Sequence, residues 1–386
     1  MQANCRQPSR AAIAVVVAVT LGCGERGILD PAPSIPGPLS ELVASSALLP
    51  LDVFGIGPLG GHPCTAPPYR DFDFWVGNWD VFGGSSQTLA GTNVVKSRLD
   101  GCLVEENWTG AGGFRGRSLN AFDHASGTWS QMWVDQGGCP TGVILIEGGL
   151  VSGAMLMAGT REQPLGFLIA PPCGPPPGEV AFTRTNRIRW TPLASGSVLQ
   201  QLQASNNGAP LPDFPDASLL IGLRYDPVET VTPLPPPPTG SFCPFRAAAQ
   251  QFNFMIGTWN VHQGTGQGSQ GTATFSKDLN QCLVEEHFTA LGGYEGISYN
   301  TFDVFTQLWT RTYVDNQGQR LFMTGGLTGT DMQLVGTKRA LSGADVVLRI
   351  TWSPVSAEEV RQTWEFSRDG GNTWRSERLL RYTRAD

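Results

Sequence analysis

The chain has 386 residues, with 48 glycines, 29 prolines, only 15% charged residues and a net charge of −7. That length allows two ordinary domains with separate cores, and the composition favours short strands joined by turns over a helical protein. An acidic chain without a basic stripe argues against nucleic acid as a partner, because phosphate binding needs clustered cations.

At the N-terminus, Arg6 and Arg10 precede the apolar run AAIAVVVAVTL at Ala11–Leu21. This is the length of a signal-peptide hydrophobic region and too short to span a bilayer as a helix. Leu21-Gly22-Cys23 follows, and the segment resembles a bacterial lipoprotein signal in which Cys23 becomes the lipidated first residue. Thr20 departs from that pattern, and an ordinary secretory signal cleaved nearby is the alternative. Both readings export the protein. The lipoprotein reading adds the membrane as a partner through the anchor, on the periplasmic face of a bacterial membrane or at the cell surface. The expected organisation is a signal over 1–22 and a Pro/Gly-rich tether over 23–63, with a short apolar stretch at Leu39–Leu49 that could be helical.

Beyond the tether the sequence repeats itself. FDFWVGNWDV at Phe72–Val81 matches FNFMIGTWNV at Phe252–Val261, and CLVEENWT at Cys102–Thr109 matches CLVEEHFT at Cys282–Thr289. GGFRGRSLNAFD at Gly112–Asp123 matches GGYEGISYNTFD at Gly292–Asp303, and Trp129–Asp135 matches Trp309–Asp315. A whole domain is duplicated, over 64–230 and 243–386, and TPLPPPPTG within 231–242 reads as an extended polyproline spacer. The repeat also orders the cysteines. Cys64 and Cys102 stand where Cys243 and Cys282 stand, so one bridge per copy is expected, and Cys139 pairs with Cys173 in the first copy alone. No C-x-x-C pair occurs and no histidine recurs between the copies, so neither a metal nor a cofactor is expected.

Within each copy, runs such as LVEENWT, SLNAFD and WSQMWVD alternate apolar and polar residues between turn clusters. This predicts an all-β protein of two tandem antiparallel up-and-down barrels with eight to ten strands each. FDFWVG and FNFMIG are expected to form a short helical turn capping one barrel end. Each copy opens on Gly-x-Trp, at Gly77–Trp79 and Gly257–Trp259, and closes on an arginine-containing strand, LRY at Leu223–Tyr225 and LLRYTR at Leu379–Arg384. With the E-E strand, G-x-x-G-x-S and W-V-D runs, each copy resembles a bacterial family of uncharacterised lipocalin-like (calycin) domains. That resemblance implies a barrel with a cavity, and closure of one end by Arg224 over Trp79 and by Arg381 over Trp259. It implies no reaction.

Alternation divides the faces. Glu106 shares a face with Val104 and Trp108, and so do Ser118 with Asn120, and Trp129, Gln131, Trp133 and Asp135 with one another. Their counterparts are Glu286, Ser298, Asn300, Trp309, Arg311, Tyr313 and Asp315. Turned inward, these residues line an aromatic cavity with a few polar groups, the usual make-up of a small-molecule site; a filled barrel is the other reading. Glu105 and Glu285 should face away from Glu106 and Glu286, so the paired carboxylates cannot act together on one substrate. The expected function is an exported lipoprotein whose barrels bind a small apolar or amphipathic ligand. A barrel enzyme using Glu106 or Glu286 as an acid, and an envelope scaffold binding proteins, remain the alternatives. Ser367–Trp374 matches the Asp-box of sialidases but occurs once, and is expected to be a β-turn.

Overall fold

The structure is a computed structural model that describes residues 63–83, 88–137, 143–164, 180–211, 221–236, 243, 247–266, 268–339 and 344–385. Cys23, the signal, the tether with Leu39–Leu49, and the Cys139–Cys173 pair lie outside the described residues. Among the described residues no helix is long and apolar enough to cross a membrane.

Ten strands make the first barrel: β1 (Gly77–Gly83), β2 (Leu89–Arg98), β3 (Leu103–Gly110), β4 (Arg115–Asp123), β5 (Thr128–Asp135), β6 (Ile144–Val151), β7 (Ala154–Pro164), β8 (Val180–Pro192), β9 (Val198–Asn206) and β10 (Ile221–Pro227). Ten more make the second: β11 (Gly257–Gln263), β12 (Ser269–Asp278), β13 (Leu283–Ala290), β14 (Glu295–Asp303), β15 (Leu308–Asp315), β16 (Arg320–Thr328), β17 (Asp331–Arg339), β18 (Asp345–Pro354), β19 (Glu359–Ser367) and β20 (Arg375–Arg384). Each strand pairs antiparallel with its neighbours in sequence, and β1–β10 and β11–β20 close the two sheets, leaving no free edge. The up-and-down tandem barrels are therefore as the alternation predicts.

One end of each barrel is plugged by its own N-terminal segment. Short 3-10 turns at Asp73–Trp75 and Asn253–Met255 push Phe72, Trp75, Phe252 and Met255 into the core. Phe72 stacks on Trp75 at 4.9 Å and meets Trp129 and Trp190 edge-on, while Phe252 packs on Trp309 and Trp352. The indoles of Trp79 and Trp259 donate to Trp75 O (3.0 Å) and Met255 O (2.7 Å), so the opening Gly-x-Trp ties the plug to the wall.

The closing arginines differ from the expectation. Arg384, not Arg381, lies over Trp259, at 3.9 Å, and its Nη1 donates to Ile256 O. Strand phase is the reason. Tyr382 points inward and Arg384 shares its face, whereas Arg381 is on the outer face and donates to Gly266 O. In the first barrel Tyr225 points inward, which turns Arg224 outward onto Phe82 and Asp226. Pro227 stands opposite Trp79 where Arg384 stands opposite Trp259, so the first barrel closes without this cation.

Both predicted bridges among the described residues are formed, Cys64–Cys102 and Cys243–Cys282. Each second cysteine follows a left-handed turn, with φ of 52° and 55° at Leu99 and Asp100 and of 50° and 54° at Leu279 and Asn280. Residues with a Cβ pay about 1–2 kcal/mol each for that conformation.

The barrels touch directly, an arrangement the spacer composition does not suggest. Glu105, Arg117, Glu285 and Tyr299 sit on the outer faces of β3, β4, β13 and β14, and meet. Arg117 pairs with Glu105 at 2.6 Å, Glu285 at 2.7 Å and Asp278 at 3.2 Å, and lies 4.8 Å over the Tyr299 ring. Tyr299 Oη donates to Glu105 Oε1 at 2.8 Å. One guanidinium thus holds the two equivalent outward carboxylates, one from each copy. A second contact is Arg320 of the second barrel, 3.5 Å from Asp123 and 2.8 Å from Glu147.

Candidate functional site

The central layer of each barrel is a buried polar network on three equivalent strands, β3–β5 and β13–β15, joined in the first barrel by β2. In the first barrel Glu106 accepts from Asn93 Nδ2 (2.8 Å) and Ser118 Oγ (2.7 Å). Asn120 donates to Val104 O (2.9 Å) and Ser118 Oγ (3.0 Å), and Gln131 Nε2 donates to Asn120 Oδ1 (2.9 Å). No arginine pairs with Glu106 among the described residues. Burial pushes its carboxyl up to about 7, and the bonds from Ser118 and Asn93 offset only part of that.

The second barrel meets the same problem with a cation. Glu286 accepts from Ser298 Oγ (2.9 Å) and Arg311 Nη2 (2.6 Å), and Arg311 Nη1 donates to Ser298 Oγ (2.7 Å) and Asn300 Oδ1 (2.9 Å). Its guanidinium lies 5.3 Å over Trp352 and 5.4 Å over Tyr313. Where the first copy has Asn93 and Gln131, the second has Ala273 and Arg311. Two hydrogen-bond donors have been exchanged for one positive charge. Glu286 is held by serine and arginine, Glu106 by serine and asparagine.

Above this layer lie Trp133 and Tyr313. Each lies across a glycine of the neighbouring strand: a Cβ on Gly116 would come within 2.1 Å of the Trp133 ring, and one on Gly296 within 2.2 Å of Tyr313 Oη. Tyr313 Oη is 2.7 Å from Tyr294 Oη, which donates to Asp315 Oδ2 at 2.8 Å. Asp315 also accepts from the backbone of Gln317 and Gln319, both at 2.9 Å, so it pins the β15–β16 turn. Its carboxyl is pushed up to about 6 by burial, against the pull of those bonds. Asp135 does the same work in the first copy, accepting from Gly137 N (2.9 Å) and Trp133 Nε1 (3.3 Å).

In the second barrel these layers leave a cavity of about 30 Å³, partly open to solvent at the end away from the plug. Glu286, Arg311 and Gln362 form its floor with Tyr382; Phe288, Tyr294, Tyr313, Leu321, Trp364 and Leu380 form its walls, and Gln319 and Arg378 its rim. Among the sequence candidates of this copy, Glu286, Arg311 and Tyr313 line the space. Ser298 and Asn300 are spent on the network beneath, and Asp315 holds a turn. Trp309 is part of the plug, donating to Ala248 O at 3.2 Å, and Trp129 does likewise to Pro68 O at 2.9 Å. Besides Phe288, Tyr294, Gln319 and Leu321, the structure adds Gln362, Trp364, Arg378, Leu380 and Tyr382. The last three lie on β20 at alternate positions, so the same period-2 reading would have found them once Tyr382 was known to face inward. Among the described residues no cluster of metal ligands occurs. Ser367–Trp374 is a turn between β19 and β20, closed by Thr373 N on Asp369 Oδ1 (2.8 Å) and Gly371 N on Ser367 Oγ (2.8 Å).

No family model matches the chain. No curated protein matches it either. Among solved structures, it is similar to a protein of unknown function from the DUF3598 family of Nostoc punctiforme PCC 73102, with 12% identity over 83% of this chain and 100% of that one. The TM-score of 0.19 is too low to transfer anything from it.

Proposed function

We propose that the protein is an exported, lipocalin-like lipoprotein that binds a small apolar or amphipathic ligand, with the second barrel as its working site. The observation that carries this reading is the cavity above Glu286 and Arg311, walled by aromatic side chains and plugged at the far end. Two disulfides suit an oxidising compartment, in keeping with the signal-like N-terminus and anchoring at Cys23. The cavity is small, so only part of the ligand seats inside and the rest lies at the mouth. Purification of the full chain from its native membrane in mild detergent, followed by mass spectrometry of released small molecules, tests this. A bound compound is expected, and it should be absent from Leu380→Trp, which fills the mouth. An empty protein, or identical contents in the two forms, would overturn the reading.

A further inference from the structure

We propose that the second barrel selects a monoanionic ligand, an amphipathic carboxylate, and that Arg378 is the residue that meets its charge. This inference rests on the binding function proposed above.

Three charged side chains line the cavity: Glu286, Arg311 and Arg378. Glu286 and Arg311 neutralise one another through their 2.6 Å ion pair, and each is further bonded within the network. Arg378 is left over. Its Nη2 is buried and has no hydrogen-bond partner among the described residues. Burial draws its ionisation downward, as expected of a cation short of compensation. A guanidinium presents a planar pair of donors whose natural complement is a carboxylate. A single negative charge matches the one cation of the cavity that the Glu286–Arg311 pair leaves uncompensated. Phe288, Trp364 and Leu380 offer the apolar body a surface beside Arg378.

The first barrel provides an internal control. At the positions of Arg378, Trp364 and Tyr294 it carries Ile221, Leu202 and Phe114, with Gln131 at that of Arg311. The same fold closes without either arginine. Arg378 is therefore not needed to build the barrel, and its place at the rim of the cavity suits it to a ligand.

Phenylacetate and its neutral isostere phenylacetamide, titrated calorimetrically into the full chain at pH 7.5, separate the possibilities. Phenylacetate should bind at least ten-fold more tightly. Arg378→Leu should abolish the preference, weakening the acid at least ten-fold more than the amide. Arg378→Lys, which keeps the charge but loses the planar fork, should fall several-fold and still prefer the acid; it decides the matter alone if the leucine variant does not fold. Equal binding of acid and amide, or a preference that survives Arg378→Leu, overturns the anion inference and leaves the cavity reading intact. If neither compound binds and Leu380→Trp changes nothing in the native-ligand measurement, both fall.

Discussion

Replacing Arg311 with glutamine asks whether the second barrel can adopt the first barrel's chemistry. Arg311 is 2% exposed and contacts Glu286, Ser298 and Asn300 at once. Removing one partner of a buried ion pair leaves an uncompensated charge and costs about 3–5 kcal/mol. In the first barrel the equivalent glutamine is tolerated because Asn93 donates to Glu106 at 2.8 Å, whereas Ala273 offers Glu286 nothing. Ala273→Asn should therefore rescue Arg311→Gln. A hydrogen bond to a charged group is worth about 1.5–3 kcal/mol, so about half the loss should return.

The assay is a double-mutant cycle by urea unfolding, with disulfides intact and the transition of the second barrel followed by calorimetry in parallel. The coupling between the two substitutions should be favourable by at least about 1 kcal/mol. In the wild-type background Ala273→Asn alone should destabilise, since it adds a polar group to a fully buried site whose carboxylate is already paired. Additive effects, or an Arg311→Gln loss below about 1 kcal/mol, would refute the view that the two networks are alternative solutions to one buried carboxylate.

Three other outcomes follow from the geometry. Because Glu106 titrates near 7 in the fold against an ordinary value of 4.5, the folded state holds the extra proton between those values, and stability falls as pH rises through that window. Glu106→Gln should thus gain up to about 3 kcal/mol over wild type at pH 8 and nothing at pH 4, measured by urea unfolding across pH; a pH-independent difference would contradict it. Arg117→Leu removes the ion pairs to Glu105, Glu285 and Asp278, should cost about 3 kcal/mol, and should split the thermal transition into two as the barrels uncouple; one unshifted transition would show that the contact is incidental. Cys64→Ala with Cys102→Ala opens a link spanning 38 residues, for which chain entropy predicts a loss of about 4 kcal/mol, read as a lower urea midpoint.

Alternation along each strand made the inner and outer faces legible, and the repeat made two bridges legible, because both signals are local or self-referential. Glu105 and Glu106 separate to opposite faces on that basis alone. The role of Arg384 is not legible in the sequence because it depends on closure: only the pairing of β11 with β20, 125 residues apart from Trp259 to Arg384, sets it opposite Trp259. The contact between barrels was invisible for a related reason. A polar outer face reads as solvated, and nothing in the neighbourhood of Arg117 announces that Glu285 and Asp278 will arrive there. Trp129 and Trp309 face inward, but depth along the barrel axis assigns them to the plug, and alternation does not encode depth.

The charge difference between the two interiors has a consequence for how the copies are used. Both barrels keep a carboxylate at the same strand position with the same serine and asparagine beside it, so that layer is common to the two. The cations are not. Arg311 compensates Glu286 and makes the second floor neutral; Arg378 then leaves the mouth positive. The first barrel has neither, and its equivalent mouth positions are apolar, over a carboxyl that is largely protonated below neutrality. A ligand attracted by a positive rim has no reason to enter the first barrel, and a neutral ligand accepted there gains nothing from Arg378. Duplication has therefore produced two interiors of different charge on one frame, clasped together by Arg117.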